Sequence, residues 1–137
     1  MRIYGDTRSG NCYKLQLLLS LLGKTCEWID VDIMKGETRA PSFLEKTPNG
    51  KIPLLELDDG RVLSESNAIM HYLASNTPLI PSSPYSFSQL LQWQFFEQYS
   101  HEPYIAVARY INVYLGLPED RKAEYESKQA GGYRALA

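Results

Sequence analysis

Within the first 31 residues a strand, a helix and a second strand follow so closely that little conformational choice is left. Arg2-Ile3-Tyr4-Gly5 reads as a short buried strand. Leu15, Leu18, Leu19 and Leu22 recur at helical spacing, and Gly23 supplies a C-terminal stop. Thr25 to Val31 alternates and is rich in β-formers, which predicts a second strand with Cys26 inside it as inert core. Two strands joined through a helix over so few residues pair in parallel by a right-handed crossover.

The turn between strand and helix, Ser9-Gly10-Asn11-Cys12-Tyr13-Lys14, is the first candidate site. A glycine-containing turn at a helix start leaves backbone N–H groups pointing outward, and the helix dipole adds fractional positive charge. A thiolate or carboxylate is stabilised there without a metal. Ser9-x-x-Cys12 copies a Cys-x-x-Cys redox motif with the exposed thiol replaced by a hydroxyl. That hydroxyl could donate to a thiol carried in by a ligand and lower its pKa. Helix capping by Ser9 or Asn11 is the competing reading, and both residue types cap well.

Further along, Ile33 to Thr47 reads as a polar loop with a weak helix at about Ala40–Lys46, started near Pro41. Pro48-Asn49-Gly50 is a turn, and Pro53 stands at a strand start, where a missing N–H is tolerated. Asp58-Asp59-Gly60-Arg61 predicts a hairpin, with Val62-Leu63 returning. Ser66 is the expected N-cap of an apolar-periodic helix from Ala68, a second helix start able to take an anion. The order is βαβαββα, and the expected fold class is an α/β thioredoxin-like N-terminal domain followed by an all-α segment.

Residues 1–76 form the first expected domain. Thr77–Ser86, with three prolines, reads as a linker, and 87–137 as part of an all-helical domain. Leu90, Trp93, Phe96, Tyr104, Val107, Ile111 and Tyr114 keep helical spacing, and Pro103 should interrupt that helix. Leu117-Pro118-Glu119-Asp120 starts a polar helix holding Gly131-Gly132.

Composition excludes some partners. A net charge of −2 and a pI of about 5.7 give no basic field for nucleic acid or an anionic membrane. Two cysteines form neither a disulfide framework nor a metal cluster, and His71 and His101 lack ligand-spaced neighbours. No metal is expected. Without a basic-then-apolar leader or a bilayer-length apolar run, the expectation is a soluble cytoplasmic protein.

Ser9-Gly10-Asn11-Cys12, Asn49-Gly50-Lys51-Ile52-Pro53, Glu65-Ser66-Asn67-Ala68-Ile69 and the Pro-rich stretch before a helical segment together resemble a soluble glutathione transferase. The flavour is bacterial, akin to the theta, beta and nu classes. The resemblance covers the whole chain in order and implies a family member cut inside its second domain. It implies a cis Ile52-Pro53 bond facing the Ser9 turn, and glutathione as co-substrate. Ser9, or Asn11 with it, would activate the glutathione sulfur, with Cys12 a third possibility. Ile52 would pair through its backbone with the cysteinyl part, next to Pro53. Glu65 and Ser66 would hold the γ-glutamyl end, and Lys51, with Arg39, the glycine carboxylate. Capping and dipole roles for Glu65 and Ser66, and a solvated Lys51, stand as alternatives.

The implied activity is thiol attack on a small electrophile by a homodimer. Rival readings are a glutathione-dependent disulfide or peroxide reductase, and a non-catalytic binding or regulatory protein on the same fold.

Overall fold

A computed structural model describes residues 1–136. In the N-terminal unit, Met1–Ile80, β1 (Arg2–Gly5), α1 (Gly10–Leu21), β2 (Glu27–Asp30), α2 (Pro41–Leu44), β3 (Leu54–Glu56), β4 (Val62–Ser64) and α3 (Ser66–Ala74) follow in the βαβαββα order. They build a four-stranded mixed sheet, β2-β1-β3-β4, with β1 parallel to β2 and the other pairs antiparallel. This is the thioredoxin-like arrangement.

Strand register sorts the side chains. Ile3 stands opposite Leu55 and Trp28, and Leu55 opposite Leu63, so these share one face. Leu15, Leu18 and Leu19 of α1 and Ile69 and Leu73 of α3 pack on that face. Each buried aliphatic side chain there stabilises by about 1.5–3 kcal/mol. On the opposite face Leu54 meets Val31 and Phe43 of α2, with Tyr4 and Ile52 against them. Gly23 ends α1 at φ +60°, where the Lys24 N–H reaches Leu19 O at 3.0 Å, a Schellman closure that only glycine enters without strain.

One polar cluster on the α2 face escapes sequence reading. Glu56 accepts from Tyr4 Oη at 2.6 Å and Lys46 Nζ at 2.8 Å, with Arg2 Nη1 at 3.6 Å. The Lys46 hydrogen bond, then that of Tyr4, holds the Glu56 carboxyl below the usual carboxylate range. Glu56→Gln is therefore expected to destabilise the chain by about 1–3 kcal/mol at neutral pH, measured by urea unfolding. Because the folded pKa is depressed, this contribution is complete above the ordinary glutamate range. It is lost as pH falls through the folded value, so parent and variant should converge in acid.

Several details differ from the sequence reading. Cys26 precedes β2 and is only half-buried. The polar loop holds two 3-10 turns, Ile33–Lys35 and Glu37–Arg39, the first capped by Asp32 Oδ1 accepting from Met34 N and Lys35 N. Such short-range capping carries no apolar period to read. Ser66 does not cap α3: it is the first helical residue, and Glu65 holds the cap position.

A second unit runs from Pro81 onward. Its first helix, α4 (Pro84–Phe96), starts inside the stretch read as linker, because a proline is well placed at the first helical position. A wide π-type turn, Glu97–His101, leads into α5 (Glu102–Arg109) just ahead of Pro103. This is the interruption expected where a residue without an N–H enters a helix. A second such turn, Tyr110–Tyr114, follows, and then α6 (Lys122–Leu136). Gly131 and Gly132 are buried on α6 because a Cβ there would stand 2.3 Å from Tyr104 Cδ1 and 2.2 Å from Ile105 Cδ1 of α5. The glycine pair is thus a close helix–helix contact, which the polar pattern around it hides. No described helix is long and apolar enough to cross a membrane.

Candidate functional site

Three sheet ends line up at one edge. β1 and β3 pair Tyr4 with Leu54, so one more step sets Gly5 beside Pro53. β3 and β4 pair Leu54 with Ser64, which sets Glu65 beside Pro53 on the other side. From this edge the chain leaves β1 into the Ser9 turn and leaves β4 into α3. The site residues thus meet because the register of β3 sits between two strand-to-helix exits.

The Ser9 turn is held from below. The Asp6 side chain is 6% exposed and accepts from Arg8 N at 2.8 Å, Arg8 Nε at 3.1 Å and Arg8 Nη2 at 2.9 Å. The Asp6 carbonyl accepts from Ser9 N at 2.9 Å. Ser9 occupies the cap position of α1, yet its side chain makes no capping hydrogen bond. Instead its influence falls on Cys12, whose ionised form it favours. Cys12 is fully buried, and burial pushes its thiol up against the opposing influence of Ser9 and the Asp6 backbone. It stays a protonated, packed thiol. Gly5 makes room beneath, since a Cβ there would lie 2.7 Å from Trp28 Cζ2 and 3.0 Å from Cys12 Sγ.

The start of α3 faces the start of α1. Ser66 is buried, and its hydroxyl donates to Asn11 Oδ1 at 3.2 Å. Glu65 is exposed and held at φ +68°, ψ +113°. A non-glycine residue there costs about 1–3 kcal/mol and persists only where its neighbours over-determine it. Those neighbours are the β4 ladder behind it and Ile69 N, which donates to Glu65 O at 3.0 Å.

The third side is the segment entering β3. Thr47 is buried and its hydroxyl donates to Asn49 Oδ1 at 2.8 Å, which also accepts from Lys51 N at 3.2 Å. Gly50 sits at φ +58°, and a Cβ on it would meet Arg39 Nη1 at 2.8 Å and Thr38 O at 2.9 Å. Arg39 therefore lies against the turn that leads into the exposed Lys51. Ile52 is half-buried, Pro53 is buried, and the Ile52-Pro53 peptide is cis.

Ser9, Asn11, Ile52, Pro53, Glu65 and Ser66 thus gather at one sheet end, with Lys51 and Arg39 at its margin. Two helix starts with outward N–H groups suit an anion, Glu65 suits a cation, and the extended Ile52 segment suits a peptide-like ligand. Sequence reading passed over Asp6 and Arg8. The legible signal was an Asp two residues ahead of its own backbone partner, the pattern of an Asx turn. Among the described residues no cluster of His, Cys, Asp or Glu is arranged to hold a metal ion.

Comparison with known proteins fits this geometry. Residues 3–85 match the family described as glutathione S-transferase, N-terminal domain. A crystal structure of a glutathione S-transferase from Pseudomonas fluorescens superposes with a TM-score of 0.94 at 59% identity, covering 98% of this chain and 67% of that one. The Phanerochaete chrysosporium glutathione transferase URE2P6, solved in complex with oxidized glutathione, gives 0.83 at 31% identity over 98% of this chain and 64% of that one. Elongation factor 1-gamma of Homo sapiens is 48% identical over 102 residues, which are 74% of this chain and 23% of that protein. The chain spans less than half the length of the curated relatives it matches first. With a thioredoxin-like sheet, two facing helix starts and a family match over most of its length, this chain belongs to the glutathione S-transferase family.

Proposed function

We propose that the chain binds reduced glutathione at this sheet end and activates its thiol for attack on a small electrophile. The observation that carries the reading is the Ser66–Asn11 hydrogen bond, which ties the two helix starts together at one sheet end. Ser66 and the α3 N–H groups would take the γ-glutamyl carboxylate, and Glu65 its ammonium. Ile52 would pair its backbone with the cysteinyl residue, and Lys51 and Arg39 would take the glycine carboxylate. The sulfur then lies at the Ser9 turn. There the Ser9 hydroxyl donates to it, Asn11 supports it, and the α1 dipole favours the anion. The thiol proton passes to solvent, the thiolate forms the new carbon–sulfur bond, and the leaving group takes the bonding pair. The exposed Trp93 (64%) and Tyr99 (85%) support a homodimer, and the resemblance supports a cytoplasmic setting.

A second reading is favoured by the match to elongation factor 1-gamma: a non-catalytic binding protein on the same fold. Calorimetric titration with reduced glutathione separates the two. One-site binding, weakened at least about tenfold by Glu65→Ala, is the expected result. A folded chain that takes up no glutathione overturns the enzyme reading. Turnover of a disulfide or peroxide in place of an aryl halide would redirect it to the reductase chemistry.

A further inference from the structure

Asp6 is the one strongly buried carboxylate of the N-terminal unit, and nothing in the mechanism above uses it. It is also the hub of the Ser9 turn. Its carboxylate takes three hydrogen bonds from Arg8, and its carbonyl takes Ser9 N–H. The carboxylate and the carbonyl of this residue thus both hold the four-residue turn that presents the Ser9 hydroxyl.

Its charge works against the chemistry. A buried anion beside the thiol site disfavours a second anion there, as its effect on Cys12 shows in sign. A carboxylate kept at such a place has a geometric reason, and Arg8 offsets the charge through the paired contacts at 3.1 and 2.9 Å. We infer that Asp6 is a positioning residue: with Arg8 it fixes the turn that aims the Ser9 hydroxyl at the ligand sulfur. This rests on the proposed glutathione site, because the sulfur is the glutathione sulfur.

The sign of one spectroscopic change separates geometry from charge. The probe is reduced glutathione bound to this chain at neutral pH, read by the ultraviolet band of its thiolate. Asp6→Ala removes both the charge and the acceptor, and is expected to lower the thiolate fraction severalfold with affinity retained. Asp6→Asn removes the charge but keeps an acceptor for Arg8 N, and is expected to preserve or raise the band. If both variants raise it, Asp6 acts through charge alone and the inference is overturned. An unchanged band in Asp6→Ala overturns it as well.

Should Asp6→Ala not fold, Arg8→Ala replaces it. Arg8 is exposed, and its loss removes two of the three bonds to Asp6 while leaving the buried carboxylate in place. Faster hydrogen exchange at Ser9 N–H together with a weaker band is the expected result, and parental exchange at Ser9 overturns the inference. Calorimetry on the unaltered chain keeps the two levels apart. No glutathione binding there sinks the proposed function itself, whereas binding with an unresponsive band sinks only the role of Asp6.

Discussion

Ser9→Ala is expected to lower glutathione-dependent turnover about a hundredfold while leaving glutathione affinity within about threefold. The hydroxyl holds the sulfur as its anion, so its loss lowers the fraction of bound glutathione present as thiolate, while the contacts to the two ends of the tripeptide carry most of the affinity. In the ligand-free turn the same hydroxyl makes no capping hydrogen bond, and a hydroxyl hydrogen rotates freely enough to meet a ligand sulfur. The other candidates should behave differently. Asn11 Oδ1 accepts from Ser66, so Asn11→Ala should weaken affinity as well as rate. Cys12 is buried under the turn with its thiol protonated, and its substitution should be felt first as lost stability. Steady-state kinetics with an aryl halide, paired with calorimetry, reads both quantities. Parental turnover in Ser9→Ala would move the activating role to Asn11 and the α1 N–H groups.

Within the N-terminal unit a large stability effect is expected at Gly50. Its φ of +58° strains any side chain, and a new Cβ would run into the Thr38 carbonyl at 2.9 Å, a backbone atom that cannot swing aside. Strain and overpacking together predict a loss of about 2–4 kcal/mol for Gly50→Ala, seen as a lower urea midpoint. Gly60 supplies the control. It has φ +83° but nothing within 4 Å of a Cβ, so Gly60→Ala should show backbone strain alone, roughly 1 kcal/mol. The consequence reaches the site, because Gly50 sets the path of Lys51 and Ile52. Glutathione affinity should therefore fall in Gly50→Ala and stay unchanged in Gly60→Ala. Equal urea midpoints for the two variants would remove the close approach of Thr38 from the account.

These outcomes rest on contacts of very different visibility in the sequence. The strand order, the Gly23 stop, the Asp58–Arg61 hairpin and the start of α2 at Pro41 follow from period and turn chemistry, which are local. So does the gathering of Ser9 and Ser66, once β1, β3 and β4 are known to be neighbours. What stays hidden depends on side chains distant in sequence. Glu56 looks like one more strand-end acid until Tyr4 and Lys46 are seen to share its oxygen. Gly131-Gly132 looks like a helix weakness until Tyr104 and Ile105 are found against it. Ser66 misled for a related reason: its residue type favours capping, but Asn11 Oδ1 takes its hydroxyl and the cap position passes to Glu65. Local preference was overridden by one tertiary hydrogen bond, and that bond lies inside the candidate site.

The central claim is that reduced glutathione sits at the Gly5–Pro53–Glu65 end of the sheet, and an amide shift map of the chain during glutathione titration tests it most directly. The account predicts saturable shifts concentrated at Ser9, Asn11, Ile52, Glu65 and Ser66, with smaller ones at Lys51. Saturable shifts confined to the helical unit after Pro81, or none at all, would contradict it.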